Sequence, residues 1–277
     1  MPPQRRYRGG MMQPQAAPPP VGNLLKVWRQ RRRMSQLDLA CEADISTKHL
    51  SFLETGRARP SRDMVLHLAE RLAVPLRERN ALLHAAGFAP AYAERPLDAP
   101  ALAAARAAVE AVLAGHMPYP ALAVDRHWTL LAANPMVGRL LASCAPALLA
   151  PPVNVLRLSL HPDGLAPRIE NLGEWRGHLL ERLRQQVAAT ADPVLAALLE
   201  ELSGYPGAPV LSNPVHSNAD GVPIAIPFRL RTPAGTLAFI STTTVFGSPV
   251  DITLAELAVE AFFPADSTTT TALRNLG

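Results

Sequence analysis

The sequence predicts two folded parts in one chain: an all-α domain of five helices, then an α+β domain built on an antiparallel sheet. Three observations carry this. From about Gly22 to Gly87 apolar residues recur at helical spacing behind repeated serine caps. The proline-punctuated stretch from Phe88 to Pro100 cannot continue a helix and sets the boundary. Beyond it, short apolar strands stand at both ends of a segment whose middle is helical, the order expected of an antiparallel sheet with helices on one face.

Residues 1–21 are rich in Pro, Gln, Gly and Arg without periodicity, which predicts a disordered basic arm. The first helix ends at Arg31, Arg32 and Arg33, where cations suit the helix dipole. Ser35 and Ser46 then stand ahead of two short helices, each hydroxyl placed to accept from a free N–H at a helix start. Leu39, Ala40 and Ala43 line one side of the first short helix, Leu50 and Leu53 one side of the second, and Ile45 fills the corner. Asp44 sits at the turn between them, and Asp tolerates left-handed backbone better than most residues. Ser61 caps a fourth helix that stops near Val74-Pro75, and a fifth runs from Arg77 to Ala86 and stops at Gly87. The second short helix keeps a free face of Thr47, Lys48, His49, Ser51 and Phe52. A helix presented to the major groove of DNA needs such side chains, because they donate, accept or offer apolar contact to base edges.

After the boundary, Ala101 to Ala114 reads as an Ala-rich helix. Pro120 to Asp125 and Trp128 to Ala133 are short strands around Arg126-His127, and Asn134-Pro135 starts a helix through about Ala142, with proline at its first position. Helices are expected across Asn171 to Ala189 and Pro193 to Leu202, and two late strands, Pro227 to Phe246, around the Pro233-Ala-Gly235 turn. The expected divisions are an arm (1–21), a first domain (22–90), a linker and connecting helix (91–114), a second domain (115–266) and a tail (267–277).

Charge separates the two parts. Residues 22–90 carry twelve Lys and Arg against seven Asp and Glu, and the arm adds Arg5, Arg6 and Arg8; from Ala91 onward twelve stand against sixteen. The phosphate-seeking charge therefore lies on the first domain, with Arg57, Arg59 and Arg62 at the exit of the helix pair. Cys41 and Cys144 fall one in each domain, which argues against a disulfide framework and for a reducing cytoplasm. No charged-then-apolar leader and no apolar run of about 18 residues occur, so neither export nor a membrane partner is expected. No G-x-S-x-G, P-loop, G-x-G-x-x-G, C-x-x-C or H-E-x-x-H motif is present, and no enzyme, metal or cofactor is expected. His178 and Glu181 share a helical face, yet no further His or Cys at matching spacing completes a metal site.

From Gly22 to Gly87 the chain resembles the lambda-repressor/Cro-like (XRE) helix-turn-helix family. Ser35-Gln36 matches the pair that opens its motif, and Leu53-Glu54-Thr55-Gly56 matches its closure. Asp44 departs from the glycine usual at the turn. The resemblance implies an ion pair between Arg29 and Glu54, a homodimer on operator duplex DNA, base contacts from Thr47, Lys48, His49, Ser51 and Phe52, and backbone contacts from Gln36, Thr55, Arg57 and Arg59.

The second part resembles the MmyB-type regulators on Pro118 to Trp128, Ala133-Asn134, His161-Pro-Asp-Gly-Leu165, Asn171 with Trp175, Phe246 to Glu256 and Phe262-Phe-Pro264. That resemblance implies a bacterial transcription regulator with a PAS-like ligand-binding domain and an effector pocket for a fatty acid or other mostly apolar small molecule. Such a pocket needs an apolar lining and one polar group for the ligand head. Trp128, Trp175, Leu179, Phe239 and Phe246 are candidates for the lining, and Arg157, His161, His178 and Arg229 for the head. The alternative is a DNA-binding regulator whose second domain is only a dimerisation or partner module. A pocket of several hundred Å³ separates the two readings.

Overall fold

The computed structural model describes residues 19–207, 226–233 and 235–276, so the expected arm lies outside the described residues except at its last positions. The chain divides into two compact units, Met1–Ala91 and Tyr92–Gly277.

Five helices build the first unit: α1 (Val21–Arg31), α2 (Gln36–Glu42), α3 (Thr47–Glu54), α4 (Arg62–Arg71) and α5 (Leu76–Ala85). Their starts follow from the serines. Ser35 Oγ accepts from Asp38 N–H at 3.1 Å while the Asp38 carboxylate accepts from Ser35 N–H at 2.7 Å, a closed capping box. Ser46 and Ser61 accept from His49 and Met64 N–H. Asp44 turns the chain between α2 and α3 with φ +51°, in the left-handed region. Leu25, Leu39, Leu50, Leu68, Leu72, Leu82 and Leu83 form a core fully shielded from solvent. One close approach fixes α1 on α3. A Cβ on Gly22 would stand 2.2 Å from the Leu53 carbonyl oxygen and 2.7 Å from that of Glu54, so only glycine fits.

The second unit contains α6 (Ala103–Gly115), β1 (Ala121–Val124), β2 (Leu130–Ala133), α7 (Pro135–Leu141), α8 (Pro146–Leu149), α9 (Val155–Leu160), α10 (Leu172–Thr190), α11 (Pro193–Ser203), β3 (Phe228–Thr232), β4 (Gly235–Val245), α12 (Ile252–Ala255), β5 (Ala258–Pro264) and α13 (Ser267–Leu276). Every strand pairing is antiparallel, in the order β2-β1-β5-β4-β3. The early β1–β2 pair and the late β3–β4 pair are thus joined into one sheet by β5, the last strand by sequence, which sits between β1 and β4.

Alternation along β1 separates two cores. Val124 belongs to the large cluster with Trp128, Trp175, Leu179, Phe228 and Phe239. Ala121 and Ala123 face Val109 and Leu113 of α6, with Leu257 and Val259. The sheet is therefore covered on its second side too at β1 and β5, where helices on one face were expected, because the α6 stripe of Val109 and Leu113 has its own sheet face to bury. Of residues 91–114, expected as a linker and connecting helix, those from Tyr92 on belong to this unit: Ala93 bridges to Asp251 and α6 packs on β1. The expected tail is also structured. Asp266 accepts from Thr269 N–H at 2.7 Å at the start of α13, Thr269 Oγ accepts from Ala238 N–H, and Leu273 is fully buried.

Candidate nucleic-acid interface and apolar cavity

The free face of α3 is a consequence of how its apolar face is used. Leu50 and Leu53 point into the core, which leaves Thr47 and Lys48 exposed and His49, Ser51 and Phe52 half-buried at the helix surface. Phe52 is flanked by cations: Lys48 Nζ stands 5.7 Å and Arg57 Cζ 6.0 Å from its ring centroid. Thr55 Oγ donates to the Ser51 carbonyl at 2.7 Å, so that hydroxyl is engaged on its own helix. Arg57 and Arg59 are exposed beyond Gly56, whose φ of +74° turns the chain out of α3.

Behind this face lies a buried ion pair. Arg29 Nε and Nη2 donate to the two oxygens of Glu54 at 2.6 and 3.0 Å, and Arg29 Nη1 donates to the Met34 carbonyl at 2.8 Å. Gln36 Nε2 donates to Glu54 at 2.7 Å, which commits part of an amide expected on the DNA backbone. Arg29 is 8 % and Glu54 4 % exposed. Burial acts to raise the Glu54 pKa, but the hydrogen bonds from Arg29 and Gln36 and the Arg29 charge outweigh it and hold the carboxyl below its usual range. Arg32 is likewise committed, donating to the Leu72 and Ala73 carbonyls at the end of α4.

In the second unit, α7, α9 and α10 lie over the sheet and leave a cavity of about 100 Å³ between them. At ~30 Å³ of liquid volume per water, it has room for roughly three waters or for one end of a ligand chain. That is smaller than the several hundred Å³ expected. Its walls are Leu122, Trp128, Leu130, Val137, Leu140, Leu158, Trp175, Leu179, Phe228, Phe239 and Phe262, interrupted by Ser159, Arg182, Ser241 and Glu260.

Of the residues expected in the pocket, Trp128, Trp175, Leu179 and Phe239 line the cavity and the rest do not. Phe246 packs in the cluster under α6, across the sheet. Arg157 forms a two-point ion pair with Glu201 of α11 at 2.8 and 2.7 Å, in a separate surface groove with His127 and Asn154. The His161 ring stands against Tyr205, with centroids 5.1 Å apart, and its Nδ1 accepts from Asp163 N–H. His178 is tucked against the Trp175 ring; burial holds its pKa below the usual histidine range, with the Arg182 charge acting the same way against Glu260. Arg229 is exposed on β3.

The polar groups that do face the cavity are an ion pair the sequence reading missed. Arg182 Nη2 and Nη1 donate to Glu260 at 2.7 and 3.2 Å, and Thr243 Oγ donates to the same carboxylate at 2.9 Å. The guanidinium lies 4.5 Å from the Trp128 ring centroid. Two signals point to this pair. Trp175, Leu179 and Arg182 fall at i, i+4 and i+7 on one helix face, and Glu260 is the lone charge in the apolar run Ala258 to Pro264. Trp128 is held in place by its turn: Asp125 Oδ1 accepts from His127 and Thr129 N–H at 2.8 Å each, Asn154 Nδ2 donates to the His127 carbonyl, and Trp128 Nε1 donates to Gln186.

Among the described residues no group of three or more His, Cys, Asp or Glu is placed to hold a metal ion, and no helix is long and apolar enough to cross a membrane. Two family models match the chain. Residues 20–82 match a helix-turn-helix domain, and residues 105–276 match the MmyB-like transcription regulator ligand binding domain. No curated protein matches.

Proposed function

The chain belongs to the MmyB-like transcription regulators, and from that membership we propose that it is a cytoplasmic repressor that binds operator DNA as a homodimer and is controlled by a short, mainly apolar effector in the cavity of its second unit. The observation that carries this reading is the coexistence in one chain of a helix-turn-helix whose α3 leaves Thr47, Lys48, His49, Ser51 and Phe52 at the surface and a cavity walled by apolar side chains. Base contacts fall to those five residues, and phosphate contacts to Gln36, Thr55, Arg57 and Arg59. The effector is a small amphiphile, with its apolar part against Trp128, Trp175 and Phe239.

Control follows from linkage. An effector that prefers the protein geometry unable to span two half-sites lowers DNA affinity by its differential affinity for the two states, and DNA lowers effector affinity by the same factor. The test is to select an operator from random duplex DNA with the full chain, then titrate it with and without short amphiphiles at fixed salt. A change in operator affinity, matched by an equal change in effector affinity when DNA is present, is expected. Ligand binding with no change in operator affinity would refute effector control and leave the second unit a dimerisation or partner module.

A further inference from the structure

We infer that the ligand of this cavity carries a neutral polar head, a hydroxyl or carboxamide, rather than a carboxylate; this rests on the effector reading above. The charge of the polar wall is already balanced. Glu260 is 5 % exposed and its carboxylate is bound by Arg182 at two points and by Thr243 at a third. Arg182 is further occupied by the face of Trp128. The other basic side chains of this unit named above lie elsewhere: Arg157 is paired with Glu201, Arg229 is exposed on β3, and His178 is tucked against the Trp175 ring. An ionised acid entering here therefore adds a second anion to a site whose one cation, Arg182, is already matched by the Glu260 carboxylate.

A neutral head meets the opposite situation. Ser241 faces the cavity beside this pair. Glu260 retains lone pairs and Arg182 retains N–H groups beyond those already used. A hydroxyl or primary amide can donate to the carboxylate and accept from Ser241 or Arg182, so each of its polar atoms is satisfied without a change in net charge.

The experiment compares 1-octanol, octanamide and sodium octanoate by isothermal titration calorimetry on the full chain at pH 7, in wild type and in Glu260→Gln. We expect the alcohol and the amide to bind wild type at least tenfold more tightly than octanoate. In Glu260→Gln, which frees the charge of Arg182, octanoate gains at least tenfold and the order narrows or inverts. Octanoate binding wild type as tightly as octanol overturns the neutral-head assignment while leaving effector binding intact. A gain for octanoate absent in a folded Glu260→Gln overturns the role given to Glu260, and should that variant not fold, the wild-type order alone decides. If none of the three binds, the effector reading itself fails, and the inference with it.

Discussion

Replacing Glu54 with leucine removes the carboxylate that accepts two hydrogen bonds from Arg29 and one from Gln36, and leaves the Arg29 charge in a site where it is 8 % exposed. Breaking one side of a buried pair in this way costs about 3–5 kcal/mol. Arg29→Met costs about the same by stranding Glu54. The double variant strands neither charge and puts two apolar side chains of similar volume in their place, so it should lie within about 1–2 kcal/mol of wild type, a coupling of at least ~4 kcal/mol. At ~4–8 °C per kcal/mol for a unit of this size, each single variant should lower the midpoint by ~12 °C or more. Hydrogen exchange of peptides from α1 to α3 in rising urea reads this unit inside the intact chain. The acid limb gives a second check. The folded pKa of Glu54 is depressed, so its stabilisation is present above the ordinary carboxylate range and is lost as pH falls through the folded value. Wild type should show that loss and the double variant should lack it. Strictly additive single losses would mean that the pair contributes nothing as a pair.

Three further outcomes follow. Gly22→Ala places its methyl 2.2 Å from a backbone carbonyl oxygen that cannot swing aside, and should destabilise the first unit by about 1–3 kcal/mol in the same exchange measurement. Lys48→Ala should alter which operator sequences are preferred, whereas Arg57→Ala should weaken all sequences together and reduce the salt slope of binding by about one; the reverse pattern would exchange the roles proposed for them. Val137→Phe fills part of the cavity and should weaken octanol binding at least tenfold while operator affinity without ligand stays within twofold; unchanged octanol affinity would place the ligand elsewhere.

The first unit was legible because its determinants are local. Ser35, Ser46 and Ser61 each cap a helix within three residues, and Asp44 turns the chain by its own backbone. The second unit hid what depends on distant partners. Ala258 to Pro264 offers no turn signal and no clean alternation, and it is a strand because β1 and β4 flank it. The Thr-rich start of α13 has little apolar periodicity; the Asp266 cap and buried Leu273 make it a helix. The cavity's ion pair joins residues 78 apart. Arg157 and His161 were plausible head-group ligands by type, but the first turned to Glu201 and the second to Tyr205, choices set by where α11 packs.

Trp128 adopts a left-handed backbone, φ +66°, which a bulky side chain takes up only at a cost of about 1–3 kcal/mol. The Asp125 and Asn154 hydrogen bonds hold it there, and in exchange the indole is laid into the cavity beneath the Arg182 guanidinium. A guest that packs on the indole therefore selects this strained form of the turn, and hydrogen exchange of the amides of residues 125–129 should slow when the cavity is filled.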